Sequence, residues 1–137
     1  MASSALRPED EVRRRFIAYL ISLGYPEALI LQEHALSELP HLKDTQGLPY
    51  RRVDVLVYGL IDKKLEPLIL IECKHEVLSE KTWHQAMGYN FYVKAPFVAC
   101  VSSLGFFLYD IQQNLWLKDF PSYDKLILQA SSSISSS

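Results

Sequence analysis

The chain is 137 residues long, with 49% hydrophobic and 22% charged residues. That is one domain's worth of sequence, large enough to bury a core and too apolar for intrinsic disorder. Lys and Arg total 14 against 16 Asp and Glu, a formal net charge of −2, which excludes binding of nucleic acid by bulk positive charge but not by a local basic groove. Cys73 and Cys100 make neither a CxxC pair nor a disulfide framework. No apolar stretch approaches the roughly 20 residues of a membrane span, and the charged run Arg7 to Arg15 is unlike a secretory leader. A single cytoplasmic domain over residues 1–130 is expected, with the Ser-rich segment 131–137 as a disordered tail.

In chain order, Pro8 followed by Glu9, Asp10 and Glu11 suits the first turn of a helix. Val12, Phe16, Leu20 and Leu23 then recur at helical spacing, and Gly24 closes the run. Leu29 to Leu31 begins a short strand, and His41 to Tyr50 reads as a loop. Val53 to Tyr58 is a β-branched strand, with Gly59 to Glu66 as a wide turn. Leu68-Ile69-Leu70-Ile71 has the unbroken apolar character of a strand buried on both faces. Ser79 is a plausible N-cap for a helix reaching Tyr92 or Val93, before Pro96. Phe97 to Val101, Phe106 to Ile111 and Leu115 to Leu117 complete the strands. Leaving aside the short last strand, the order α-β-β-β-α-β-β predicts an α/β fold around a mixed sheet, with a right-handed crossover joining two parallel strands.

Two acids stand where a buried sheet disfavours them. The most apolar strand runs directly into Glu72-Cys73-Lys74, where alternation places Glu72 and Lys74 on one face and Cys73 on the other. Asp54 interrupts Arg52-Val53-Asp54-Val55, sharing a face with Leu56 and Tyr58, opposite Val53, Val55 and Val57. Antiparallel pairing of the two strands would set Asp54 beside Glu72. Two converging carboxylates make an oxygen-rich site suited to a hard cation such as Mg²⁺, with Mn²⁺ as a substitute. Lys74 facing the same place could stabilise negative charge developing on a phosphate. Gln85 and Tyr89 share one face of the following helix. Glu9 falls on the buried stripe of the first helix and Glu11 further round it.

Asp54, Glu72-x-Lys74 and Gln85-x-x-x-Tyr89 together resemble the PD-(D/E)xK nuclease superfamily, in its RecB-like QxxxY branch. With Pro8-Glu9-Asp10-Glu11-Val12-Arg13 and Arg52-Val53-Asp54-Val55, the resemblance narrows to the N-terminal nuclease domain of type I restriction enzyme R subunits, over roughly residues 7 to 120. It implies a restriction-endonuclease-like αβββαβ core that hydrolyses DNA phosphodiesters with Mg²⁺. Asp54, Glu72 and the carbonyl of Cys73 would hold the metal, and Lys74 would orient the attacking water and stabilise the transition state. Gln85 would position Lys74 or the metal-site groups, and Tyr89 would support it or contact the DNA backbone. Glu9 would be the helix-borne acid, with Glu11 in reserve, and Arg13 and Arg52 would be phosphate or supporting contacts. No GxxxxGK[ST] phosphate loop is present, so motor and specificity functions would come from other chains, and cutting both strands would favour a homodimer. A second reading keeps the fold without catalysis, as a nucleic-acid-binding or protein-interaction module. Arg7, Arg13 to Arg15, Arg51, Arg52, Lys63 and Lys64 could form a phosphate-binding surface.

Overall fold

The computed structural model describes residues 7–135, with side chains through Ser131. Helix α1 (Pro8–Ser22) opens the chain and strand β1 (Ile30–Ala35) follows. After two short 3-10 turns come β2 (Arg52–Ile61) and β3 (Lys64–Cys73). Helix α2 (Glu80–Val93) leads to β4 (Phe97–Ser102), β5 (Gly105–Asp110), β6 (Leu115–Leu117) and helix α3 (Tyr123–Ser135). The six strands form one sheet in sequence order. Every neighbouring pair is antiparallel except β3 and β4, which are parallel. That exception follows from α2, whose length carries the chain back across the sheet before β4 begins.

Leu68, Ile69, Leu70 and Ile71 are fully buried because both faces of β3 are covered. Ile69 and Ile71 pack with Val12, Phe16 and Leu20 of α1 and Leu126 of α3, while Leu70 meets Leu36, Leu39, Tyr58 and Val93 on the other face. Burying each such side chain contributes roughly 1.5–3 kcal/mol. Continuous apolarity in β3 therefore reports its central place in the sheet. Pro67 is tolerated because pairing with β4 starts only at Ile69, so its missing N–H interrupts no bond on that side.

Helix α2 starts at Ser79, whose Oγ accepts the Thr82 N–H at 3.3 Å, as its sequence predicts. It ends at Lys94 in a left-handed conformation, φ +61°. The buried Asn90 side chain closes this end by donating to the Ala95 carbonyl and accepting the Ala95 N–H, both at 2.9 Å. Asn90→Ala leaves two backbone groups unpaired in a dry site and is expected to lower stability by about 2–4 kcal/mol. Urea denaturation measures it, and a loss below 1 kcal/mol would show that the clamp does not hold the α2–β4 turn.

Three expectations are corrected, and one unanticipated element is added. The wide turn at Gly59 to Glu66 is a tight hairpin: Asp62 and Lys63 both have positive φ, +53° and +66°, the conformation of a type I′ turn that matches strand twist without any glycine. The pleat of β2 breaks at its start, since Val53 is buried with Leu36, Leu39 and Leu56 rather than with Val55 and Val57. Opposite that break in the β1–β2 register, Glu33 has φ +51°. The added element is the helix formed after Leu117, α3, which lays Leu126 and Ala130 on the core and sets Ile127 against Gly59, where a Cβ would come within 2.6 Å of its Cδ1. Third, the Ser-rich segment expected to be disordered is helical through Ser135; positions 136 and 137 lie outside the described residues.

Candidate active site

The carboxylates meet where β2 and β3 part. Their ladder ends at Val55 opposite Ile71, and the next residues of each strand are Asp54 and Glu72. Beyond that point the Asp54 carboxylate replaces the ladder, its Oδ2 accepting the Cys73 N–H at 2.8 Å. A strand residue directs its N–H and C=O to the same side, so the Cys73 carbonyl faces the Asp54 side too. On the other side the strand stays locked, with the Lys74 N–H donating to the Val101 carbonyl at 2.8 Å. The backbone under the site is thus held by β4 while its β2 edge is open.

Glu72 is only 4% exposed, and its Oε1 has no hydrogen-bond partner. Its Oε2 lies 3.8 Å from Lys74 Nζ, a contact too long for a strong ion pair. Burial pushes the Glu72 carboxyl up to about 8, and the neighbouring Asp54 charge adds to that; Lys74 pulls it back, and Asp54 and Glu9 oppose ionisation further. Burial also raises Asp54, against the Cys73 N–H and the charges of Lys74 and Arg13, while Glu9 pushes it up. The pair therefore holds fewer than two negative charges near neutral pH unless a cation joins it.

An unpartnered buried carboxylate oxygen beside a second carboxylate is costly in a bare protein. It fits a divalent cation, and the donor set is the hard oxygen set that Mg²⁺ prefers: Asp54, Glu72 and the Cys73 carbonyl. Among the described residues, no group of three or more His, Cys, Asp or Glu side chains is gathered as a metal cage. Two side-chain ligands would leave the further positions to waters, which Mg²⁺ usually retains.

Of the two helix-borne acids, Glu9 acts on both carboxyls. Glu11 instead accepts from Arg15 Nε at 2.8 Å and pairs with Arg14 at 3.6 Å. Arg13 is largely buried and held by Asp10 at 3.0 Å, Gln32 at 3.1 Å and Glu33 at 3.5 Å. It reaches Asp54 as a field rather than as a bond. Arg52 donates to the Glu33 carbonyl, so its guanidinium ties β2 to β1. On α2, Gln85 and Tyr89 line one groove with Arg51, and the Arg51 guanidinium lies 5.8 Å from the centre of the Tyr89 ring. Gln85 makes no hydrogen bond to Lys74.

The anticipated basic surface is split, since Lys63 and Lys64 sit at the β2–β3 hairpin, at the far end of these strands from Asp54 and Glu72. Sequence reading missed the special place of Glu33. Its position inside a strand, with Arg7 and Arg13 as the ion partners of its carboxylate, left no local signature. The cysteines are free and buried, and burial raises both thiols, which keeps them protonated and inert.

Residues 8–121 match a family model described as the type I restriction enzyme R protein N terminus. The chain belongs to that family. A solved structure described as a fragment of an HsdR subunit of a type I restriction enzyme from Vibrio vulnificus YJ016 superposes with a TM-score of 0.65 at 19% identity. The match covers 97% of this chain and 27% of that one, so this HsdR N-terminal domain spans about a quarter of its structural relative. At this identity the likeness speaks for the fold, the restriction-endonuclease-like mixed α/β architecture that the αβββαβ order predicts. No curated protein matches. No helix among the described residues is long and apolar enough to cross a membrane.

Proposed function

We propose that this HsdR N-terminal domain is a PD-(D/E)xK nuclease that hydrolyses DNA phosphodiester bonds with Mg²⁺, for which Mn²⁺ can substitute. The observation that carries the reading is Glu72 Oε1, a buried carboxylate oxygen without a partner, next to Asp54 and within reach of Lys74. Asp54, Glu72 and the Cys73 carbonyl would hold the metal. When bound, the ion supplies charge to a phosphate oxygen and makes a bound water more acidic. Asp54 is fixed for this role by the Cys73 N–H, and Glu9 and Arg13 tune its charge from the α1 side. The Lys74 ammonium neutralises charge that builds on the phosphate and orients the attacking water. Gln85 would act from the α2 side, and Tyr89 would support it or contact the DNA backbone. A motor and specificity subunits would come from other chains, and a homodimer would place two sites on one duplex.

Plasmid nicking with Mg²⁺ or Mn²⁺ tests the reading on wild type, Asp54→Ala and Lys74→Ala. Wild type is expected to convert supercoiled to open-circular DNA, and both variants to fail. Equal conversion by all three proteins would remove these residues from the chemistry. No conversion by wild type with either metal would favour the non-catalytic reading of the same fold.

A further inference from the structure

Five of the six arginines are used within the protein. Arg7 and Arg13 hold Asp10 and Glu33, Arg14 and Arg15 share Glu11, and Arg52 donates to the Glu33 carbonyl. Among the described residues, nothing takes the Arg51 guanidinium as an ion-pair or hydrogen-bond partner; it lies over the Tyr89 ring, 5.8 Å from its centre. The Leu36 N–H donates to the Arg51 carbonyl at 2.9 Å, so the backbone is fixed while the side-chain donors stay open. Arg51 and Tyr89 stand with His84, Gln85 and Tyr92 in a groove of about 340 Å³ whose lining contains no acid. Gly88 borders the same groove. Glycine inside a helix weakens it relative to alanine, yet nothing lies within 4 Å of the place a Cβ would take at Gly88. Internal packing does not call for this glycine, and the space it leaves opens into the groove.

The groove is on the sheet face that carries Glu72. Tyr89 and Tyr92 pack on the cluster of Val53 and Leu70, whereas Ile71 and Cys73, on either side of Glu72, belong to the opposite cluster. Glu72 therefore faces α2, and Lys74 Nζ joins it there at 3.8 Å. We propose that Arg51, braced by Tyr89, binds a backbone phosphate of DNA a few places along the strand from the one at Asp54 and Glu72. The inference rests on the nuclease reading and deepens it. Arg51 is three residues from Asp54, at most about 10 Å of extended chain, while phosphates succeed one another about every 3.4 Å along a duplex strand. A guanidinium lying over a ring keeps its N–H edge free for bidentate contact with two phosphate oxygens, and His84 and Gln85 offer further donors beside it. Such a contact grips the backbone without reading the bases.

The test is fluorescence anisotropy with labelled duplexes of unrelated sequence, in Ca²⁺ buffer to slow hydrolysis, over a range of KCl concentrations. Arg51→Ala is expected to lose roughly tenfold or more of affinity for every duplex alike. The slope of log K against log[salt] should become shallower by about 0.9, the share of one phosphate. Lys63→Ala, at the far hairpin, should keep the wild-type slope. Gly88→Leu puts a better helix former into the groove, so it should melt above wild type yet bind several-fold more weakly, a pair of changes that misfolding does not produce. Wild-type affinity and slope in Arg51→Ala, an equal loss in Lys63→Ala, or no binding of duplex by wild type would overturn the phosphate site. A protein that nicks plasmid through Asp54 while Arg51→Ala and Gly88→Leu bind as wild type refutes this site alone. One that loses affinity in both variants but never nicks refutes the nuclease and leaves the phosphate site standing.

Discussion

Glu72→Gln is expected to make the metal-free protein more stable at pH 8, by about 2–4 kcal/mol, and to change little at pH 5. In the unfolded chain Glu72 ionises near its ordinary value of 4.5; in the folded protein it ionises only near 8. The folded state is therefore the one that keeps the proton. Stability from this group is whole below about 4.5, falls as pH rises through the window to 8, and stays low above it. Glutamine keeps the shape and carries no charge, so it escapes the loss. With EDTA present, the melting temperature of the variant at pH 8 should exceed that of wild type by roughly 5–10 °C. Magnesium at a thousand times its Kd should reverse the order, because a ligand bound only by the folded state then stabilises it by about 4.1 kcal/mol. Wild type should gain more at pH 8 than at pH 5, where protons compete for the carboxylates, and Glu72→Gln should gain little at either. A variant no more stable than wild type in EDTA would mean that the buried Glu72 charge costs nothing. Equal gains from magnesium in both proteins would remove Glu72 from the ligand set.

The contrast between Glu72 and its surroundings is what made the site readable. An acid ending a fully apolar strand is legible because sequence encodes burial through composition, and Leu68 to Ile71 advertise both covered faces. Asp54 was readable for the same reason, and strand pairing brought the two together. The α2 helix followed from Ser79 and the distance to Pro96. What escaped was set by backbone conformations without a distinctive residue. Asp62 and Lys63 make a turn that usually advertises itself with glycine, and Glu33 enters the left-handed region inside a strand. Helix α3 was hidden by its serines, although Ser122, whose Oγ accepts the Lys125 N–H at 3.3 Å, and the spacing of Tyr123, Leu126, Ile127 and Ala130 carry a helical pattern. The choice between Glu9 and Glu11 was not open to periodicity alone. Both lie in the first turn, and only the path of α1 past the end of the sheet, with Arg14 and Arg15 claiming Glu11, separates them. Arg52 shows the reverse error, since a cation beside a candidate metal-binding acid looks available for phosphate while its guanidinium is used to join two strands.

Lys74→Met is expected to lower the nicking rate by about 100- to 1,000-fold while leaving the magnesium-dependent gain in stability intact. The backbone at Lys74 is fixed by the Val101 carbonyl, and the side chain is 28% exposed, so the substitution removes a charge without opening the core. The ammonium lies 3.8 Å from Glu72 Oε2, where an unchanging neutral methylene chain would hold Glu72 in place but donate nothing to a phosphate. Losing a fixed donor to a developing oxyanion typically costs this much in rate. Lys74→Arg should not restore it, because a planar fork cannot occupy the place of a compact ammonium. A second readout separates chemistry from scaffolding. The Lys74 charge lowers the Glu72 carboxyl, so without it Glu72 holds its proton to higher pH, and whatever activity remains should shift its pH profile in the alkaline direction. Cleavage that falls with no alkaline shift would show that Lys74 acts on the substrate without acting on Glu72. Loss of the magnesium response would place Lys74 among the groups that build the metal site and overturn its separate role in the chemical step.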